Sequence, residues 1–188
     1  MTTGVLALQG AFALHQRRLE SLGEQVVQVR SPAHLDGIDR LVIPGGESTT
    51  VSMLAERFDL IEPLRVFARS GKAVLGTCAG AILLSAEIQD GREDQRCLGV
   101  IDISTRRNGF GRQVDSFEQD VQIPILGEPA FHAVCIRAPV IERVGDSVTV
   151  LATIDSSPAL VRSGAIMVSI FHPELVEDLR VHQLFLSL

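Results

Sequence analysis

The chain has 188 residues, 46% of them hydrophobic and 21% charged, with 16 Gly and 8 Pro. A chain of that length is one domain, spanning 1–188; it can bury about 70% of the surface its unfolded form exposes and is too apolar to be disordered. Lys plus Arg is 17 against 23 Asp plus Glu, for a net charge of −6, and Trp and Tyr are absent, which argues against a basic nucleic-acid binder or a stacking platform for single strands.

The first half alternates short apolar runs with helical patterns. Gly4–Leu8 reads as a buried strand, followed by a helix from about Phe12 to Leu22 with Leu14, Arg18, Leu19 and Leu22 on helical spacings and Gly23 as its stop. Val26–Val29 and Arg40–Ile43 are the next strands. Pro44-Gly45-Gly46 is a turn, and Glu47-Ser48-Thr49-Thr50 opens a helix running to about Arg57. A helix from Glu62 to Ser70 leads into the strand Ala73–Gly76, and after Gly80 a helical pattern runs to near Glu87. Uninterrupted apolar strands alternating with helices imply a parallel sheet covered on both faces.

From Cys97 the pattern changes to consecutive strands: Leu98–Ser104, Ser116–Ile123, Phe131–Arg137, Ser147–Thr153, Ala159–Arg162 and Ala165–Ile170. A helix from Pro173 to Leu188 closes the chain. The expected fold is therefore α/β: a three-layer, open, mainly parallel sheet with helices on both faces and a small antiparallel addition. Cys78, Cys97 and Cys135 form no CxxC pair and no disulfide framework, and no apolar run reaches about 18 residues. The N-terminal residues carry no basic leader region. A soluble, cytoplasmic protein without membrane association is the expectation.

Gly76-Thr77-Cys78-Ala79-Gly80, between a strand and a helix, has the form of a nucleophile elbow with Cys as the nucleophile. Such a turn exposes the sulfur at the carboxyl end of the sheet, and a helix N-terminus favours its thiolate. A structural Cys in a tight turn is the plain alternative; the two flanking glycines favour the elbow. Of five histidines, His15 and His182 fall in helical patterns and His34 in a loop, all expected at the surface or its boundary, and His132 lies in a strand with no carboxylate at a telling spacing. His172 stands at a strand end, two residues before Glu174 across Pro173. A turn at the proline brings the carboxylate back to the imidazole as the orienting group of a triad; the alternative is a polar strand end followed by a helix-capping carboxylate.

Gly45 and Gly46 let a ligand approach the backbone, and an N–H there together with that of Ala79 could form an oxyanion hole. The alternative is a plain capped strand-to-helix turn. Asn108-Gly109 in the run Arg106–Arg112 supports a tight hairpin whose arginines grip a carboxylate or are simply solvated; Arg137 is a second candidate. No HExxH, HxxxH or CxxC is present, so no metal site is expected.

Together GTCAG, FHPE and PGGES resemble class I, triad-type glutamine amidotransferases. LALQGAF, PGGESTT, GTCAG, RRNGFGRQVDSFE, IRAP and FHPEL, in that order over residues 6–175, resemble more closely the family of glutaminase subunits of pyridoxal 5′-phosphate synthases. The resemblance implies that Cys78 attacks the side-chain amide of L-glutamine, with His172 as base and Glu174 as its orienter. It implies an oxyanion hole at Gly46 and Ala79, and glutamine positioned by Gly46, Glu47, Ser48, Arg107, Ile136 and Arg137. Gln9 matches a residue that the family links to activation by its partner. The implied partner is a separate barrel-shaped synthase subunit in a hetero-oligomer, which receives ammonia for vitamin B6 synthesis, and no cofactor is implied for this chain. Ile170 and Val176 depart from the family's pattern beside the triad without removing a member. Two rivals stand beside this reading: a cysteine peptidase or γ-glutamyl hydrolase using the same triad, and a non-catalytic subunit on the same fold, which would be expected to have lost Cys78, His172 or Glu174, all of which are present.

Overall fold

A computed structural model of the protein describes residues 1–107 and 116–188. In chain order the elements are β1 (Thr2–Leu6), α1 (Phe12–Ser21), β2 (Gln25–Val29), β3 (Arg40–Ile43), α2 (Ser48–Arg57), α3 (Ile61–Arg69), β4 (Ala73–Thr77) and α4 (Ala79–Leu84). Then come β5 (Ser85–Ile88), β6 (Ile101–Arg106), β7 (Ser116–Val121), β8 (Phe131–Ile136), β9 (Val140–Val144), β10 (Thr149–Ile154), β11 (Ser157–Ser163), β12 (Ile166–Ser169) and α5 (Arg180–Leu186).

The main sheet has seven strands in the order β10-β11-β12-β4-β3-β1-β2. The five from β12 to β2 are mutually parallel, and β11 and β10 extend the sheet antiparallel at one edge. Every residue of β4 and β12 is buried, as expected for inner strands covered on both faces. The β1–α1–β2 unit winds towards one edge and β3–α2–α3–β4 towards the other, so right-handed crossovers place their helices on opposite faces. Between β1 and β3 the winding reverses, which opens a crevice beyond the carboxyl ends of the strands. Segment 7–10 after β1, the Gly45-Gly46 turn after β3 and Cys78 after β4 all emerge there.

A three-stranded sheet, β5-β6-β9, and a two-stranded ribbon, β7-β8, make up the addition. Among the described residues no helix is long and apolar enough to cross a membrane.

The parallel sheet stands as read from the sequence, with differences that have local causes. Strand β12 is not part of an appendage but an inner strand between β4 and β11. The helix after Cys78 stops at Leu84 because Ser85 turns extended (ψ 158°), its hydroxyl donating to the carbonyls of Ile82 and Glu87, and β5 begins instead. Strand β9 went unread. The closing helix does not start at Pro173: residues Pro173–Leu175 make a single 3₁₀ turn, Val176 is extended, and α5 starts only where Asp178 accepts the Arg180 N–H at 3.0 Å. The hairpin expected at Asn108-Gly109, and Arg112, lie outside the described residues.

Candidate active site

Cys78 sits between β4 and α4 with φ +48° and ψ −103°, a strained conformation for a residue with a side chain. The flanking glycines are required sterically. A Cβ on Gly76 would press on Leu84 and lie 2.8 Å from the Gly80 carbonyl oxygen, and one on Gly80 would collide with the Ile43 carbonyl at the end of β3. The elbow is therefore held by the strand and helix on either side of it, and the Cys78 N–H is anchored to Ser169 O of β12 at 2.8 Å.

His172 follows β12, and its backbone N–H donates to Val134 O of β8 at 2.8 Å. Its Nδ1 lies 2.7 Å from Glu174 Oε1. The 3₁₀ turn begun by Pro173 is what folds this i, i+2 carboxylate back onto the ring. Glu174 is fully buried, and its backbone carbonyl accepts from Arg18 Nε of α1 at 3.1 Å. The His172 ring lies beside Cys78, both lining one cavity, while the thiol itself reaches Ile136 O at 3.9 Å. Gly45 roofs this pair, since a Cβ there would strike His172 and approach Cys78 Cβ to 3.1 Å.

Burial opposes charge on both members of the pair, but the hydrogen bonds and opposite charges win. The Cys78 and Glu174 partners push His172 up to about 10. Burial alone would raise Glu174, yet the His15 and His172 rings hold it far below the usual carboxylate range. The pair is thus an ionised carboxylate holding a protonated imidazole ring in one orientation beside Cys78.

A cavity of about 240 Å³ opens in front of Cys78 and His172. Gln9, Gly46, Glu47, Ser48, Ala79, Arg107, Ile136 and Arg137 all line it, so the structure gathers the sequence-selected residues around one space. Ile82, which the sequence did not single out, lines it too. Glu47 is more occupied than expected. Its carboxylate caps α2, accepting from the N–H groups of Thr49 (3.1 Å) and Thr50 (2.6 Å), and it pairs with Arg107 at 3.3 Å. Its own N–H donates to Gln9 Oε1 at 2.9 Å. Gln9 fills the space beside Gly46 that a Cβ would need. Arg137 takes a positive φ of 44°, which turns it towards the cavity mouth from the end of β8.

Two histidines were misplaced by the sequence. His15 and His182, expected near the surface, are fully buried beneath Glu174. His15 stands four residues before buried Leu19 and so shares its inward face, and His182 lies between buried Val181 and Phe185. Those spacings were the available signal. His132 is exposed on the ribbon, and carboxylates do meet it: Asp120, its cross-strand partner, and Glu118, each at 2.9 Å.

An open parallel α/β sheet, with a cysteine elbow at its carboxyl edge and a His–Glu pair beyond the next strand, is the architecture of the class I glutamine amidotransferases. A solved glutamine amidotransferase superposes with a TM-score of 0.91 at 47% identity, covering 98% of this chain and 97% of that one. Two relatives named pyridoxal 5′-phosphate synthase subunit PdxT are similar over the full length. That of Herpetosiphon aurantiacus is 54% identical, covering 100% of both chains, and that of Moorella thermoacetica is 50% identical, covering 100% of this chain and 99% of the relative. The SNO glutamine amidotransferase family matches residues 5–188, and the chain belongs to that family.

Proposed function

We propose that the chain is the glutaminase subunit of a pyridoxal 5′-phosphate synthase, hydrolysing L-glutamine to L-glutamate and delivering the ammonia to a barrel-shaped synthase subunit. The observation that carries the chemistry is the buried 2.7 Å His172–Glu174 pair set against the thiol of an elbow cysteine. Cys78 Sγ, its proton passed to His172, attacks the amide carbon of the glutamine side chain. The oxyanion of the tetrahedral adduct is received by the N–H groups of Gly46 and Ala79. His172 returns the proton to the nitrogen as the C–N bond breaks, releasing ammonia and leaving a γ-glutamyl thioester. Water, deprotonated by His172, then attacks the thioester, and glutamate leaves as the thiolate re-forms.

Glu47, Ser48, Arg107, Ile136 and Arg137 position the substrate from the cavity wall. The paired Glu47 and Arg107 suit the ammonium and carboxylate of an amino acid, opposite charges being offered side by side. Gln9, bonded to the Glu47 N–H beside Gly46, is placed where a partner could alter the oxyanion turn. Ammonia is mostly protonated in neutral water and then no nucleophile, which favours delivery within a complex.

The test is glutamate release from L-glutamine, with and without the cognate synthase subunit, with Cys78→Ala as the blank. Release that rises with the partner and vanishes in the variant is expected. No release with a competent synthase subunit would overturn the reading.

A further inference from the structure

The His–Glu pair has a second layer that the reaction above does not use. Glu174 is fully buried, and only one of its oxygens, Oε1, is taken by His172. A buried carboxylate oxygen left without a donor is costly. Oε2 makes no hydrogen bond of good geometry in the structure, and the group nearest to supply one is the His15 ring, with Nε2 at 3.2 Å. The same Nε2 lies 3.1 Å from Thr77 Oγ1, the residue before the elbow cysteine, and that hydroxyl already accepts the Gly45 N–H at 3.0 Å. On its other side, His15 Nδ1 lies 3.1 Å from His182 Nε2.

The Thr77 hydroxyl, which also carries a proton, offers a second donor to a bare His15 Nε2, so the contacts alone leave two patterns. A bare Nε2 would set its lone pair against the oxygen of an ionised carboxylate in a site closed to water, the costlier arrangement, so the proton belongs on Nε2. Nδ1 of His15 must then accept, and the donor available to it is His182 Nε2–H. That leaves His182 Nδ1 bare, and among the described residues it is the ring nitrogen of this cluster with no partner. A lone pair is the cheaper group to leave unpaired, since buried N–H groups are almost never orphaned. Burial holds His182 down to about 3, so its ring carries a single proton. Every N–H in the chain then points the same way, from His182 through His15 to Glu174.

We propose that His15 is a positioning residue for the glutaminase reaction, donating from Nε2 to the free oxygen of Glu174, with His182 fixing its tautomer. It touches neither substrate nor reacting atom. It completes the solvation of the carboxylate that orients His172, and through Thr77 it ties that carboxylate to Gly45 in the oxyanion turn. The inference rests on the glutaminase reading of the Cys78 site.

Two measurements test it. Long-range ¹H–¹⁵N correlation on histidine-labelled protein should find His15 and His182 both protonated at Nε2 and bare at Nδ1; a proton on His15 Nδ1, alone or in addition, would overturn the proposal. In the complex with the synthase subunit, His15→Leu should lower kcat about 10- to 100-fold with KM within about twofold. His15→Gln, whose amide N–H reaches the place of Nε2, should recover most of that loss. Equal losses in both variants, or none in either, would also overturn it. If His15→Leu does not fold, the tautomer in the unaltered protein decides. A silent wild type would count against the glutaminase reading, while the tautomer would still decide the role of His15.

Discussion

The floor and the rim of the cavity are built on different principles. On the floor, Glu174 is 0% exposed and His172 8%, and their bond is one of a chain that ties α1, β4, α5 and the turn after β12 together. On the rim, the side chain of Glu47 is 43% exposed and that of Arg107 21%, and the pair meets at 3.3 Å, longer than a charge-assisted bond prefers. Bonds in a water-free interior are strong and hold one geometry, whereas exposed pairs are screened and contribute little. The floor can therefore keep the reacting groups aligned in the isolated chain. The rim can be rearranged by a substrate or a partner at small cost, which suits the step that admits glutamine.

That division makes graded predictions. Replacing Cys78 by Ala removes the proposed nucleophile, and kcat for glutamate release should fall by about 10⁴-fold or more with the thermal midpoint nearly unchanged. Glu174→Gln keeps the shape of the floor but puts an amide where His172 needs an acceptor. The ring then loses its fixed tautomer, and kcat should fall about 10²- to 10⁴-fold with little change in KM. A loss below tenfold would mean that the floor does not set the orientation of the base.

The floor also leaves a mark on stability. His182 is held down to about 3 in the folded protein by burial, whereas its unfolded value is 6.5. Between those values the unfolded chain binds a proton that the folded chain does not, so this group's contribution is complete above pH 6.5 and is lost as pH falls towards 3. His172 runs the other way: raised to about 10, it stabilises fully below 6.5 and loses that contribution as pH rises through 10. His182→Gln should remove the acid-side slope, up to about 1.4 kcal/mol per pH unit. Urea unfolding of both proteins at pH 7 and pH 5 measures it, and parallel slopes would show that His182 already carries a proton when folded.

The same division explains what the sequence disclosed. The elbow was legible because sterics demand glycine at 76 and 80, and steric demands are local in the chain. The His172–Glu174 pair was legible because a proline turn joins its members within three residues. The parallel strands β1, β3 and β4 were legible because nearly all of their residues are buried and each carries a short apolar run, Val5-Leu6, Leu41–Ile43 and Ala73–Leu75. His15 and His182 were not, because what makes them matter is a contact across 167 residues between helices that packing brings together. The place of β12 was hidden for a like reason: its apolar run states that it is buried but not which strand it pairs with. Glu47-Ser48-Thr49-Thr50 was read as the opening of a helix, but that the Glu47 carboxylate itself is the cap, bonded to the N–H groups of Thr49 and Thr50, was not.

The smallest effect expected belongs to the rim. Gln9 contributes one hydrogen bond, its Oε1 accepting the Glu47 N–H at 2.9 Å, and sits against Gly46. Gln9→Ala deletes that bond at a partly exposed position, where water can replace it, so the thermal midpoint should move by no more than about 4 °C. What changes is the resting position of the Gly45-Gly46 turn, the proposed oxyanion site. Glutamate release with and without the synthase subunit should therefore shift in ratio by about tenfold or less, the intrinsic chemistry being retained when the partner is saturating. If Gln9→Ala instead cost as much as Glu174→Gln under saturating partner, the turn after β3 would belong with the floor, and the rim would no longer be the adjustable part of the site.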